Sequence, residues 1–126
     1  MQSFDVIAFD KGNKLADMLG LEKDGKPALI SIKAREGHLN GVSKQDAERA
    51  VKYGERLGIS KLLYGACFFD VENIGKFEIY LFPIKDALSA STDRSSIRFR
   101  RLVDEHSISK LLRLGLALSP SSSSFT

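Results

Sequence analysis

Asp17, Ser31 and Lys33 are the residues whose types and spacing suit metal-assisted hydrolysis. In such chemistry a carboxylate binds Mg²⁺, and a nearby lysine positions or deprotonates the attacking water. The sequence therefore predicts Asp17 as a metal ligand and Lys33 as its basic partner, with the Ser31 hydroxyl beside them. The alternative is an ordinary cross-strand ion pair between Asp17 and Lys33, which stabilises a sheet by only about 0.2–1 kcal/mol.

A β-hairpin over residues 16–35 is the predicted element that brings these side chains together. Two apolar runs, residues 18–21 and 28–34, flank an Asp24-Gly25 turn, and glycine accepts the positive φ that hairpin loops need. The start of one antiparallel strand lies beside the end of its neighbour, so both charges are expected at one spot. Residues 15–21 also suit a helical turn, but Gly20 and the Asp-Gly turn favour a strand.

The rest of the chain predicts a mixed sheet flanked by helices. Alternating or continuous apolar runs indicate strands, and Ser43 and Gly58 are suitable first and last caps for a helix. The predicted elements are strands at 4–9, 61–69 and 76–84, helices at 43–57 and 107–118, and a short strand or extended arm at 97–102. With the hairpin, this order indicates an α/β fold with a mixed β-sheet of about five strands.

Composition predicts one globular domain over residues 1–118, followed by a disordered Ser-rich tail at 119–126. The chain has 126 residues, 43% of them apolar and 28% charged, which argues against a disordered protein. Cys67 is the single cysteine, so no disulfide framework exists. No apolar run approaches the roughly 18 residues needed to span a membrane. Without a signal-peptide pattern, the expected location is the cytoplasm.

The ordered pattern resembles the archaeal Holliday junction resolvases of the restriction-endonuclease-like superfamily over roughly residues 4–118. Asp17 falls on the motif Asp of that family, and residues 30–33 fall on a strand that normally reads apolar, Glu, apolar, Lys. Gln45 falls on a position that is often Gln or polar, in the helix that follows. The resemblance implies a homodimer that binds DNA and uses Mg²⁺, with Asp17, Ser31 and Lys33 as the catalytic set. It departs from the family at Ser31, which replaces the metal-binding Glu.

The expected function is binding of branched or duplex DNA, with nuclease activity lost or weak at the degenerate site. The basic and polar residues expected at phosphates are Lys33, Arg35, Lys44, Gln45, Arg98, Arg100 and Arg101. For the arginines, salt bridges to Asp104 and Glu105 are an equally weighted alternative.

Two other functions remain open from the sequence. The first is an active Mg²⁺-dependent, structure-selective endonuclease in which Glu36, Asp46 or Glu48 supplies the missing acid. The second is a non-catalytic subunit that pairs with an active paralogue or a repair protein through the strand at 76–84. Tyr80 and Phe82 on that strand also suggest a dimer contact, because large aromatic side chains are unusual in open solvent.

Overall fold

The structure is a computed structural model that describes residues 4–36, 41–69, 72, 77–105, 108 and 110–115. The predicted tail at 119–126 lies outside these residues. Within the described part, a short 3₁₀ turn at Lys11–Asn13 precedes the first helix. The strands are β1 Val6–Ala8, β2 Ala28–Glu36, β3 Gly41–Ser43, β4 Leu62–Phe69, β5 Phe77–Pro83, β6 Ser96–Arg98 and β7 Leu112–Gly115. The helices are α1 Lys14–Leu19, α2 Lys44–Arg56, α3 Ile84–Ala90 and α4 Phe99–Asp104.

A mixed five-stranded sheet with the order β1-β2-β4-β5-β7 forms the centre of the fold. Strands β2 and β4 are parallel, and every other neighbouring pair is antiparallel. The apolar run at 61–69 is the central strand, as predicted, because it is covered on both faces. Strands β3 and β6 form a separate two-stranded sheet. The predicted α/β class and the five-stranded mixed sheet flanked by helices are confirmed.

Helices cover the two faces of the sheet unequally. Three of them, α2, α3 and α4, bury one face, where Tyr64, Phe82 and Phe99 are at the centre of the larger core cluster. The short helix α1 covers part of the other face, where its Leu19 packs with Ile30, Leu63 and Leu81. Within the described residues, every helix is too short or too polar to cross a membrane.

Helix α2 begins and ends where the sequence predicts. The Ser43 hydroxyl accepts a hydrogen bond from the Asp46 backbone N–H at 3.0 Å, which is a standard N-cap. Gly58 follows the helix with φ of 75°, a left-handed conformation that glycine adopts without strain. The small residues Ala47, Ala50 and Gly54 face the sheet and are buried, so the helix lies close to it.

The predicted hairpin at 16–35 is wrong in its first half, because residues 14–19 form helix α1. The Asp10 carboxylate accepts hydrogen bonds from the backbone N–H groups of Leu15 and Ala16, at 2.7 and 2.8 Å. Gly20, with φ of 65°, then ends the helix. Burial raises the pKa of Asp10, but the two hydrogen bonds outweigh it and leave the pKa below its usual value. The antiparallel neighbour of β2 is therefore β1.

Three further expectations about elements after β5 need correction. Residues 84–90 form helix α3, where the sequence predicted no element. Of the two alternatives for residues 97–102, the short strand is confirmed at its start, where residues 96–98 form β6, but residues 99–104 form a helix. The predicted helix at 107–118 is also wrong over residues 112–115, which form strand β7 against β5. Hydrogen bonding to the open edge of a sheet outweighs a helical apolar pattern in so short a segment.

The expected dimer contact through Tyr80 and Phe82 is contradicted. Tyr80 is almost entirely buried, and Phe82 is completely buried. Both belong to the core beneath the helices, and Phe82 packs edge-on against Phe99 with ring centroids 5.6 Å apart. Their own chain therefore covers these side chains, and they are not available to another protein.

Candidate functional site

Ser31 and Lys33 lie on the helix-covered face of β2, toward its carboxyl end. Their partners on the parallel strand β4 are Tyr64 and Ala66, and Tyr64 and Ala66 both belong to the core beneath α2. Helix α2 connects the two parallel strands, so its first turn lies at the same edge as their carboxyl ends. This edge is where α/β proteins with parallel strands most often bind ligands.

Asp17 does not join this group. It lies on α1, whose buried Leu19 packs on the opposite face of the sheet. Its carboxylate forms an ion pair with Lys23 at 2.5 Å, and both side chains are more than half exposed. The expectation that Asp17 and Lys33 share one spot is therefore wrong, because the segment that carries Asp17 is a helix and not the strand beside β2. Because Asp17 and Lys33 are not close, the geometry gives no reason to assign Asp17 as a metal ligand at this site.

Asp5 is the carboxylate that the structure places against the Ser31–Lys33 segment of β2. Its Oδ2 atom accepts a hydrogen bond from the Ile32 backbone N–H at 2.7 Å. The regular register of β1 and β2 runs from Ala8 opposite Ala28 to Val6 opposite Ile30, and just before it the Asp5 backbone N–H donates to the Ile30 carbonyl at 2.9 Å. The sequence analysis missed Asp5. The signal was a charged residue inside an apolar run: Asp5 lies within the run at 4–9, just as Lys33 lies within the run at 28–34.

Ser31 and Tyr64 give this part of the site a buried, polar floor. Each is only 2% exposed, although both carry hydroxyl groups. Burial, together with the negative charge of Asp46 on α2, raises the pKa of Tyr64 to about 12. Asp46 lies in the first turn of α2, where its carboxylate pairs with Arg49 at 3.1 Å.

The described side chains do not fit a Mg²⁺ site of the expected kind. No three of the described His, Cys, Asp and Glu side chains converge on a common point. Mg²⁺ needs oxygen ligands in octahedral geometry, and carboxylates supply most of its binding. The Asp5 carboxylate accepts a hydrogen bond from a backbone N–H, and the Asp46 carboxylate pairs with Arg49. Ser31 has only a neutral hydroxyl group. Glu48 is exposed on α2, and the Glu36 side chain lies outside the described residues.

Three of the expected phosphate-contacting residues lie near this edge. Lys33 is half-buried on β2, and Gln45 is exposed on the first turn of α2. The Lys44 ammonium group donates to the Ser91 carbonyl at 3.3 Å, and the Lys44 backbone N–H donates to the Ser95 carbonyl at 2.8 Å. These bonds attach the start of α2 to the segment before β6. Arg35 belongs to β2, but its side chain lies outside the described residues.

The arginine cluster forms ion pairs within the chain. Arg98 pairs with Asp93 at 3.3 Å, and Arg101 pairs with Glu105 at 3.1 Å. Both arginine side chains remain more than half exposed, so their ion pairs are weak and open to competition. The salt-bridge alternative is confirmed for Arg101 with Glu105 and for Arg100 with Asp104, whereas Arg98 pairs with Asp93, which was not among the predicted partners.

Arg100 is held more firmly than its neighbours. It donates to Glu78 at 3.0 Å and to Asp104 at 2.9 Å, and its guanidinium carbon lies 4.7 Å from the centre of the Phe68 ring. Tyr80 donates to the same Glu78 carboxylate at 2.6 Å. The hydrogen bond from Tyr80, followed by that from Arg100, holds the pKa of Glu78 below its usual value. Arg100 is therefore part of the internal packing and is not placed to contact DNA.

A buried lysine at the opposite end of β4 is a second feature that the sequence analysis missed. Lys61 is 1% exposed, and its ammonium group donates to the Lys26 carbonyl at 2.6 Å. It also pairs with Asp24 at 2.9 Å. The hydrogen bond with Lys61, aided by the Lys26 backbone N–H, lowers the pKa of Asp24. These two contacts compensate the buried charge and indicate a structural role, because a buried charge is tolerated only when paired.

No protein-family model, no curated protein and no solved structure matches the chain. The site is therefore interpreted from its own residues and geometry.

Proposed function

We propose that this chain has a restriction-endonuclease-like fold and binds branched or duplex DNA through the edge formed by β2 and the start of α2. The observation that carries the proposal is the placement of Asp5 beside the Ser31–Lys33 segment of β2. An acid held against the strand that carries the lysine corresponds to the acid-and-lysine pattern that the resemblance implies. The parallel β2-α2-β4 unit is consistent with it.

The donor set favours binding without cleavage. A nuclease of this class needs at least two carboxylates on the metal, and the buried hydroxyl of Ser31 stands where the family has its metal-binding Glu. Lys33 lacks an ion-pair partner among the described residues, so its charge is available to a phosphate. A lysine in that position contributes to DNA affinity even where the metal site is degenerate.

The revised set of phosphate contacts is smaller than the sequence analysis predicted. Lys33, Lys44 and Gln45 lie at one edge, and Arg98 and Arg101 provide exposed charge elsewhere on the helical side. Arg100 leaves the set because Glu78 and Asp104 already bind it. Phosphate contacts release counterions, so binding is expected to weaken steeply as salt rises.

The test is a mobility-shift titration of labelled four-way junction DNA across a range of salt concentrations, with and without Mn²⁺. We expect salt-dependent binding and no cleavage. Lys33→Ala should weaken binding severalfold and reduce the slope of log affinity against log salt by about one. Lys23→Ala is the matched control, because it removes the same charge from the opposite face of the sheet, where Lys23 pairs with Asp17.

Three other results would reject or change this proposal. Equal losses from Lys33→Ala and Lys23→Ala would mean that only net charge matters, and would reject the proposed edge. Metal-dependent cleavage would show an active endonuclease, and Asp5→Asn and Asp46→Asn would then identify its acids. Absence of binding at low salt would reject DNA as the ligand.

A further inference from the structure

A cavity lies between the end of α3 and the side of α4, away from the β2 edge. Residues 90–93 form one wall, Arg98 at the end of β6 forms the next, and Arg101, Leu102 and Glu105 complete the lining. The cavity encloses about 290 Å³, including its opening to solvent. Ligand sites in proteins usually begin at about 300 Å³, so this cavity suits only a small molecule.

The two arginines in the cavity each use one nitrogen within the chain. Arg98 binds Asp93 through its Nε atom at 3.3 Å, and Arg101 binds Glu105 through its Nε atom at 3.1 Å. A guanidinium group has four further N–H donors on its two terminal nitrogens. Among the residues that the structure describes, no group accepts a hydrogen bond from these terminal nitrogens. The cavity therefore presents eight N–H donors on two charged groups that a ligand can use.

The two carboxylates of the cavity hold the arginines in place at little cost to a negatively charged ligand. Asp93 also accepts hydrogen bonds from the backbone N–H groups of Ser95 and Ser96, at 3.2 and 3.3 Å. Glu105 is half exposed, so water screens its charge. A ligand on the terminal nitrogens leaves both Nε ion pairs intact, so neither acid loses a partner.

A third positive charge lies at the wall of the cavity. The Lys44 ammonium group donates to the carbonyl of Ser91, which is one of the lining residues. Three cationic groups therefore stand against two carboxylates, and the local balance favours an anion. Arg100, in contrast, uses its Nε and both terminal nitrogens for Glu78 and Asp104, so it has no comparable donors to offer.

The chemistry of the lining indicates which anion fits. Arginine binds phosphate through two parallel N–H donors, and a phosphate monoester carries nearly two negative charges at pH 7. Two guanidinium groups match that charge, whereas a phosphodiester has only one. Leu102 and Ala90 add an apolar part to the lining, which suits the organic group of the ester.

We propose that the cavity between α3 and α4 binds a small organic phosphate monoester, with the terminal nitrogens of Arg98 and Arg101 on the phosphate group. This site is separate from the edge formed by β2 and the start of α2. It does not depend on the proposed function, since the ligand is a small molecule and no DNA takes part in its binding.

Titration of the isotope-labelled full chain with phenyl phosphate, followed by backbone amide NMR shifts, tests the proposal. We expect saturable shifts that are largest at residues 90–93 and 98–105. Arg98→Gln and Arg101→Gln should each raise the dissociation constant about tenfold or more, because each removes charged hydrogen-bond donors. Arg49→Gln is the matched control, since Arg49 forms an equally exposed ion pair on α2, and it should leave the constant unchanged.

Two further comparisons separate a cavity from a merely basic surface. Thr92→Tyr adds bulk to the lining without changing the charge, and should weaken binding as well. The methyl ester of phenyl phosphate, which has a single charge, should bind at least severalfold more weakly than phenyl phosphate.

The proposal would be overturned by shifts that do not saturate or that are centred elsewhere in the chain. Equal binding of the monoester and the diester, or equal losses from Arg98→Gln and Arg49→Gln, would also overturn it. The amide spectrum of each variant without ligand establishes that its fold is retained.

Discussion

At the scale of single residues, the turn before β2 depends on one buried charge. The Lys61 ammonium group lies beneath the turn, where Asp24 and the Lys26 carbonyl bind it. The Lys26 ammonium group in turn donates to the Gly58 carbonyl at 2.8 Å. This network connects the start of β2 to the chain that leads from α2 into β4. Its two charged partners are not equivalent, because Asp24 is partly exposed and Lys61 is not.

Replacing Asp24 and replacing Lys61 are therefore expected to lower the stability of the fold by different amounts. Asp24→Asn leaves the Lys61 charge buried without a counter-ion, and should lower the melting temperature by roughly 5 °C or more. Lys61→Met leaves Asp24 in contact with water and with the Lys26 N–H, so this variant should lower the melting temperature less. Thermal unfolding of both variants at pH 7 is the measurement. A larger loss in Lys61→Met would contradict this assignment.

The same carboxylate gives a pH dependence with a definite sign. The pKa of Asp24 in the fold is below its usual value of 3.8. Its contribution is therefore complete above the unfolded pKa, and is lost as the pH falls through the lower folded pKa. The difference in melting temperature between wild type and Asp24→Asn should be constant from about pH 5 to 7 and shrink below about pH 4. A difference that grows on acidification would contradict this sign.

At the scale of elements, the packing of α2 on β4 requires the absence of a side chain at one position. Gly54 is buried on the face of α2 that meets the sheet. A Cβ atom at this position would overlap the side chain of Leu62, which is itself buried. The close approach of helix and strand therefore determines the residue, although glycine in a helix interior is unfavourable.

Gly54→Ala measures which of these effects dominates. Alanine gains about 1 kcal/mol of helix propensity but overfills the contact with Leu62, which costs about 1–3 kcal/mol. We expect a net decrease in the free energy of unfolding, measured by urea denaturation. Lys52→Ala, at an exposed position of the same helix, should change it by less than about 0.5 kcal/mol. A stabilised Gly54→Ala variant would show that Leu62 moves aside without cost.

At the scale of the whole molecule, Arg100 fastens the last described helix to the sheet. It lies on α4 and reaches Glu78 on β5 and the Phe68 ring on β4. The ion pairs with Glu78 and Asp104 raise its pKa further above the usual range, so it stays charged at every pH at which the protein folds. The residue thus connects α4 to the neighbouring strands β4 and β5.

Arg100→Ala is expected to lower the free energy of unfolding by about 1–3 kcal/mol, because Glu78 loses a charged partner and Phe68 loses its stacking group. Arg101→Ala is the matched control. Its ion pair with Glu105 is exposed on both sides, so the loss should be below about 1 kcal/mol. Urea denaturation of both variants is the measurement. Equal losses would show that Arg100 does not act as a fastening between elements.

The sequence by itself determined the parts of this protein whose signals are local. The Ser43 cap and Gly58 fixed the limits of α2, and the apolar run at 61–69 identified the central strand. These signals act within a few residues, so they survive folding unchanged. With the strand at 77–83, they were enough to give the α/β class and the mixed sheet.

Only the tertiary structure decided which strand lies beside β2, and that choice decided the site. An Asp-Gly turn between two apolar runs favours a hairpin locally, but the Asp10 carboxylate caps residues 14–19 as a helix, and β1 takes the vacant position. Asp17 therefore lies on the opposite face, and Asp5 binds the backbone of Ile32, between Ser31 and Lys33. Residues 112–115 likewise form a strand because they pair with the side of β5 that faces away from β4. Pairing between distant segments depends on what the rest of the chain leaves uncovered, and no local pattern contains that information.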